Sequence, residues 1–332
     1  MNRRCSACRR TLCRRQWKQE AWLTQVNDEW AKDKEGREKK IAGIKELFTK
    51  DNEKTPPQWY VNGQGQMMVV ISGPVEFVMG SPATEAGRYK SEAQHKKRIG
   101  RTFAMAAKPV TTGQFLAMRT NYFGNFEALA RRYAPTDDCP AVIVSWHDSA
   151  EYCNWLSEQE GIAKEQWCFE TKDGLVTRLK KDYLSLTGYR LPTETEMEYV
   201  TRAGAVTSRY YGETENLLPK YAWTLTTSNE KTQPVGSLKP NDYGLFDLQG
   251  NVYNWCQDIY EEYPSTTGAE TIEDKDGRLN IGPDSRVARG GSFSGLASSF
   301  RSASRASGVP TGRDVNYGFR VVRTLSPNNQ SD

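Results

Sequence analysis

After Gly204 no stretch of this 332-residue sequence sustains a helical period. The segments PVGSLKPNDYGLFDLQGNVYNW (234–255) and RGGSFSGLASSFRSASRASGVPTGRDVNYGFR (289–320) are instead rich in Gly, Pro, Asn and single aromatics. Such residues punctuate turns and break long elements. A chain of this kind must hold its second half by packing rather than by propensity. With 37% apolar and 11% aromatic residues it has the material for a sizeable core, and it is too aromatic for a disordered chain.

Upstream the texture differs. Residues 14–50 lack Pro, and Trp22, Val26 and Trp30 recur four apart, followed by Ile41, Ile44, Leu47 and Phe48. This predicts one or two amphipathic helices, a helical extension or linker over 1–56 that Pro56-Pro57 ends. From 57 to 332 a single domain is expected. Its first part, QWYVNGQGQMMVVISGPVEFVMGS, alternates apolar and turn residues and reads as short strands around Asn62-Gly63 and Gly73-Pro74. Three short helices follow. One starts near Gly113 behind a Thr N-cap. Another lies in SWHDSAEYCNWLSEQEGI, packing Ala150, Tyr152, Cys153 and Leu156 and stopped by Gly161. The third carries a capping box, Thr193 with Glu196, and stops at Gly204. Two or three short helices on a loop-rich β scaffold make a mixed α+β domain.

Several functions are excluded or disfavoured. Net charge is +4 from 45 basic and 41 acidic residues, which gives no electrostatic case for nucleic acid. No run of about 18 apolar residues exists to span a membrane. The basic N-terminus has no apolar region behind it, so it is not a secretory signal. The seven cysteines, at 5, 8, 13, 139, 153, 168 and 256, form an odd, scattered set, which points to reduced thiols in a cytoplasm. Cys5, Cys8 and Cys13 lack the fourth ligand that a structural zinc site needs; a basic end, or the cut edge of a longer protein, fits them better. There is no phosphate-binding loop, H-E-x-x-H or G-x-S-x-G motif. The two histidines are His95, expected to be solvated in a charged run, and His147, expected to make a local polar contact at a helix start. Neither is marked as a metal ligand or a triad member.

The motifs that are present occur in a fixed order: GPVEFVMGS, KPVTTGQF, PAVIVSWHDSAEYCNWL, GYRLPTETEMEYVTRAG, DYGLFDLQGNVYNWCQD, RVARGGSF and GFRVVR. Each alone is weak. Together, over roughly residues 66 to 325, the chain resembles the formylglycine-generating-enzyme (sulfatase-modifying factor) family. The resemblance implies a compact variant of the C-type lectin fold. It also implies a test for activity, because these enzymes oxidise a substrate Cys with a copper-binding Cys pair shortly after the GGS motif. Soft thiolates suit Cu(I), yet after Gly290-Gly291-Ser292 comes FSGLASSFRSASRAS, and the last Cys of the chain is Cys256. The family's defining activity is expected to be absent. Relatives that are non-haem iron enzymes take their iron-binding His residues largely from an extra domain that this chain lacks. The family can also bind calcium near GNVWEW. Here the run is Gly250-Asn251-Val252-Tyr253-Asn254-Trp255, and Asn254 replaces the carboxylate. Asn251, Asp247 and Asp258 then read as turn residues and Trp255 as a core aromatic. No cofactor is expected.

The C-terminal stretch is the candidate site. Between Phe293 and Tyr317 there is no Lys, Glu, Gln, Met or Trp. Those types make up roughly a fifth of the chain, so about five are expected there on composition alone. The pattern resembles variable proteins of diversity-generating retroelements, in which adenine mutation of Asn-type codons yields Asn, Ser, Gly, Ala, Val, Thr, Asp, Tyr, Phe and Leu but none of those five. On a framework of Arg289-Gly-Gly-Ser292, Ala297, Arg301-Ser302-Ala303, Arg305, Pro310, Arg313 and Gly318-Phe319-Arg320, the candidate ligand-binding positions are Phe293, Ser294, Gly295, Leu296, Ser298, Ser299, Ser304, Ala306, Ser307, Gly308, Val309, Thr311, Gly312, Asp314, Val315, Asn316 and Tyr317. Arg301 and Arg305 are placed to hold carbonyls or carboxylates of neighbouring loops. Phe293, Phe300 and Tyr317 are candidate aromatic anchors; Phe300 fits the core equally, and Phe319 is assigned to it. The expected function is non-catalytic binding of a protein or peptide partner, with no nucleic acid and no membrane. The alternatives are a metal oxidoreductase with other ligands, and a sensor or scaffold domain of a larger protein.

Overall fold

The alternating apolar runs become strands with two buried faces. In the computed structural model, which describes residues 59–172, 175–263, 270–275, 277 and 281–325, MMVVI forms β2 (Met67–Ile71) and FAMA forms β5 (Phe103–Ala106). Met67, Val69, Ile71, Phe103 and Met105 enter one apolar cluster; Met68, Ala104 and Ala106 enter another. Successive side chains point to opposite faces of a strand, so one short sheet serves two cores. The expected helices over 14–50, and Cys5, Cys8 and Cys13, lie outside the described residues.

Fourteen strands are described: besides β2 and β5, β1 (Trp59–Val61), β3 (Val75–Met79), β4 (His95–Ile99), β6 (Phe169–Lys172), β7 (Leu175–Leu179), β8 (Tyr189–Arg190), β9 (Tyr253–Ile259), β10 (Thr271–Glu273), β11 (Arg286–Arg289), β12 (Arg305–Gly308), β13 (Tyr317–Gly318) and β14 (Val322–Thr324). They form a five-stranded sheet in the order β1-β2-β5-β14-β8, a four-stranded sheet β12-β11-β9-β13, a three-stranded sheet β10-β4-β3 and the hairpin β6-β7. Four α-helices complete the described part: α1 (Thr112–Met118), α2 (Glu127–Tyr133), α3 (Trp146–Gln159) and α4 (Glu194–Arg202). The fold is a loop-rich α+β domain, as read from the sequence. Among the described residues no helix is long and apolar enough to cross a membrane.

The helices start where the sequence says. Thr111, Ser145 and Thr193 are N-caps, each in a reciprocal capping box with the residue three positions on. α1 starts at Thr112, one residue before the expected Gly113. α4 stops one residue early, because Ala203 itself takes the left-handed C-cap conformation ahead of Gly204. α3 supplies Trp146, Tyr152, Cys153 and Leu156 to the first cluster, and α4 supplies Met197 and Val200 to the second.

His95 is not solvated. It sits on β4 with 5% of its surface exposed, one ring nitrogen 2.9 Å from the Ala93 carbonyl and its ring edge-on to Tyr263. Burial pushes its pKa down. A half-buried tyrosine from outside the charged run outweighed the local composition.

Glu196 joins local and long-range structure. Its carboxylate caps α4, accepts two bonds from Arg190 at 2.7 Å, and pairs with Arg101 at 2.6 Å. Despite full burial, the two guanidiniums hold its pKa down at about 2. Glu196→Gln is expected to cost about 3–5 kcal/mol in denaturant unfolding, since it leaves buried guanidinium unpaired. The folded carboxyl titrates near 2 and the unfolded one near 4.5. Its contribution is therefore present above about 4.5 and lost as pH falls towards 2, so the acid limb of stability should be shallower in the variant.

Candidate binding surface

The segment 289–320 carries little regular structure, and its glycines and arginines hold it. Gly290 and Gly291 have φ of 100° and 80°. A Cβ on Gly291 would lie 2.6 Å from the Phe300 ring, so the GGS turn exists to let that ring onto the backbone. Phe300 is fully buried and packs with Leu218 and Ala222. It is a core residue rather than an anchor, and Phe319 is buried too.

The arginines are pinned one by one. Arg289 donates to Glu198 at 2.5 Å and to the carbonyls of Ser302 and Ala303. Arg301 grips Glu92 through two bonds, 2.6 and 2.7 Å, and Glu85 through a third at 2.7 Å. Arg305 grips both oxygens of Glu194 at 2.6 and 2.8 Å, donates to the Ser91 carbonyl, and lies under Tyr260 and Tyr263. Arg313 is bidentate to Asp148 at 3.0 Å. Arg320, fully buried, donates to Asn254 and to the carbonyls of Ala106, Ala107, Phe246 and Asp247. Carboxylates on distant elements thus position what no local propensity could.

Between these fixed points the candidate positions surface. Ser294, Leu296, Ser298, Val309, Thr311 and Asp314 are exposed; Gly295, Ser299, Ser304, Ala306, Ser307, Gly308, Gly312, Val315, Asn316 and Tyr317 are half-buried. Phe293 departs from expectation. It is 3% exposed, tilts against Tyr133, and its carbonyl accepts from Ser228 Oγ, so it belongs to the core. Tyr317 stacks on Trp255 with centroids 4.5 Å apart and on Tyr253 at 5.5 Å, and donates to the Ser307 carbonyl. It is a platform edge more than a free anchor. Gly308 cannot carry a side chain, because a Cβ there would lie 2.6 Å from Trp255. On the outer side, Asn316 Oδ1 accepts from Ser292 at 2.9 Å and from Ser294 at 2.6 Å, while Asn316 donates to Asp314. The polar residues order one another across the loop.

Residues far away in sequence complete the surface. Leu225 donates its backbone N–H to the Gly295 carbonyl and is 44% exposed. Tyr253 and Tyr317 pair across β9 and β13. Beside Arg313 opens a cleft of about 520 Å³, lined by Arg119, Tyr122, Phe126 and Ile143 among others. Ile143 has φ 58°, left-handed for a β-branched residue, a conformation that costs about 1–3 kcal/mol and persists only where surroundings impose it. Its N–H donates to the Asp314 carbonyl and its carbonyl accepts from Tyr122. The sequence carries no signal for these neighbours, since tertiary contacts alone bring them to the loop.

The calcium-type loop is occupied by its own bonds. Asn251, at φ 63°, accepts from the Gln233 N–H and donates to the Gln233 carbonyl. Asp247 is buried and accepts from Gly236; burial raises its pKa. Trp255 is a core residue whose Nε1 donates to the Val144 carbonyl. Among the described residues no group of three or more His, Cys, Asp and Glu gathers to hold a metal. Cys139, Cys153, Cys168 and Cys256 are buried and form no disulfide with one another, and burial pushes the Cys153 and Cys256 thiols up.

The chain matches the sulfatase-modifying factor enzyme 1-like domain over residues 53–325. It belongs to that family. It is 29% identical over 199 residues to a formylglycine-generating enzyme of Streptomyces coelicolor, covering 55% of this chain and 52% of that protein. It is 35% identical over 187 residues to a protein of Chlamydia pneumoniae named serine/threonine-protein kinase pkn1, covering 56% of this chain and 24% of that one. The chain thus spans about half, or less, of the curated relatives it matches. Among solved structures, PvdO from Pseudomonas aeruginosa superposes with a TM-score of 0.64 at 26% identity, over 82% of this chain and all of that one. Treponema denticola variable protein 1 does so with a TM-score of 0.64 at 24% identity, over 81% and 99%. The fold is the C-type lectin-like fold of the sulfatase-modifying factor family.

Two outcomes follow for this family member. Gly308→Ser should cost about 1–3 kcal/mol by overpacking against Trp255, whereas Val309→Ser, at an exposed site, should stay within about 0.5 kcal/mol; chemical denaturation separates them. Asp258, which accepts from the Glu194 N–H at 2.6 Å, has its pKa pushed up to about 7, first by burial and then by Asp274 and Glu194. A raised carboxyl favours the folded state at low pH and loses that contribution as pH rises through about 7. Asp258→Asn keeps the acceptor, so its melting temperature relative to the parent should rise between pH 5 and pH 8.

Proposed function

We propose that this chain is a non-catalytic binding protein that presents residues 294–317 to a protein or peptide partner, with the exposed positions diversified by a retroelement. The observation that carries the reading is a division of labour within one segment. Arg289, Arg301, Ser302, Ala303, Pro310, Phe319 and Arg320 are buried, while the Ser, Gly, Val, Thr and Asp positions between them reach the surface. A rigid frame limits the ordering cost of binding, and small polar and single apolar residues are adaptable contacts, as in antibody loops. The fold shared with Treponema denticola variable protein 1 supports the same reading. The missing thiols after Ser292 support a non-catalytic role in a family whose relatives include formylglycine-generating enzymes.

A second reading has its own support. The match to about a quarter of the Chlamydia pneumoniae protein named a serine/threonine-protein kinase favours use of this domain as the binding module of a larger protein. The size of the native protein on an immunoblot decides that.

Two measurements test the main proposal. Sequences of sister chains should differ at the exposed positions and agree at the buried frame, with a near-copy of the last coding segment, differing at adenines, in the neighbouring DNA. Substituting residues 294–299 together with 306–317, while keeping Gly295, Ala297, Gly308, Pro310, Arg313 and Tyr317, should abolish capture of the partner with the melting temperature nearly unchanged. Unaltered capture would refute the surface assignment.

A further inference from the structure

The cleft beside Arg313 is a preformed site whose chemistry is legible. Arg119 and Arg313 stand on its rim with 41% and 47% of their side chains exposed. Asp148, at the start of α3, lies between them, 3.0 Å from Arg313 and 4.0 Å from Arg119. The Asp148 carboxylate occupies the Nε and Nη2 side of the Arg313 guanidinium. The end of the fork, Nη1, has no protein partner among the described residues, although a guanidinium offers five donors. Glu151 takes Arg119 through a single nitrogen, Nη2, at 2.7 and 2.8 Å, which leaves its other nitrogens without a hydrogen bond among the described residues.

Behind this rim Phe123, Phe126 and Ile143 make the apolar part of the wall, beside Thr120 and Asn121. Phe126 is 57% exposed and Phe123 is buried; Ile143 closes the base in its strained conformation. The geometry is locked. Tyr122 donates to Asp148 at 2.6 Å and to the Ile143 carbonyl at 3.2 Å, and the Arg313 Nε also points to the Tyr122 oxygen at 2.9 Å.

We propose that this cleft is an anchoring subsite for an aromatic side chain next to an Asp or Glu side chain in a polypeptide partner. The ring stacks against Phe126 over Ile143, and the partner's carboxylate takes the free end of the Arg313 fork, with Arg119 alongside. Arg313 is frame rather than a variable position, so the subsite stays constant while Thr311, Asp314 and Val315 beside it set specificity. As a partner anchor it rests on the binding role proposed above, but its chemistry can be probed without the partner.

Three capped probes titrated into the full chain by saturation-transfer NMR decide it: N-acetyl-Asp-Phe-amide, the neutral N-acetyl-Asn-Phe-amide, and N-acetyl-phenylalanine with its acid at the chain end. The Asp probe should bind roughly tenfold more tightly than the Asn probe, as expected for one charge-assisted bond, and more tightly than N-acetyl-phenylalanine. Phe126→Ala and Arg313→Lys should each weaken it about fivefold or more, with the melting temperature retained for the exposed Phe126 variant. Equal binding of the Asp and Asn probes, tighter binding of the chain-end acid, or variants that bind like the parent would overturn the assignment. Loss of partner capture on loop substitution bears on the binding role alone. Failure of the Asp probe bears on the subsite alone.

Discussion

The fold depends on guanidinium groups taken out of water and held by carboxylates and carbonyls. A domain whose second half has little regular structure leaves many backbone carbonyls without a ladder, and each buried, unpaired carbonyl is costly. Arginine answers this with five donors on one planar group. Arg320 does it without a carboxylate partner. Its contacts are Asn254 and four carbonyls from two separate loops, and burial pushes its pKa down to about 10. Arg289, Arg301 and Arg305 do it with carboxylates of α4 and of the segment around Glu92. Removing either partner of such a pair strands the other in the core, so these positions admit almost no substitution.

Buried frame and exposed surface are thereby separated within a few residues of one another. Arg289, Arg301 and Arg320 are buried and, with Phe293, Phe300 and Phe319, fix the chain at intervals, while the exposed positions between them contribute little to the core. An exposed Ser298 or Thr311 can change with little effect on folding. Gly308 marks the limit, since it lies on the partly exposed segment but its Cα faces Trp255. Tyr317 marks it from the other side, as part of a stacked aromatic set with Tyr253 and Trp255.

Much of this frame is legible in the sequence because it is written in residue types with few alternative uses. The capping box at Thr193, paired glycines before Ser292, and arginines four apart all have specific stereochemical roles, and the ordered motifs gave the fold. What stayed hidden is what depends on distance across the chain. The sequence reading places Phe293 on the surface, yet Tyr133, some 160 residues upstream in the sequence, covers it. It places His95 in solvent, yet Tyr263 packs on its ring. The cleft at Arg313 joins three separated stretches and rests on the left-handed Ile143, a residue type that no local rule would put in that conformation.

The same physics separates what a metal site demands of a scaffold from what a preformed surface demands. A thiolate metal site needs two sulfurs at one geometry, and substituting either removes it outright. Binding needs only a surface already held in shape, because the association free energy falls chiefly with the groups that must be ordered on contact. Here the ordering is done in advance by Asp148, Glu194 and Glu92 acting on Arg313, Arg305 and Arg301, none of which requires a thiol. Serine and glycine after Gly290-Gly291 leave that preorganisation untouched, because the arginines and their carboxylates hold the segment in shape.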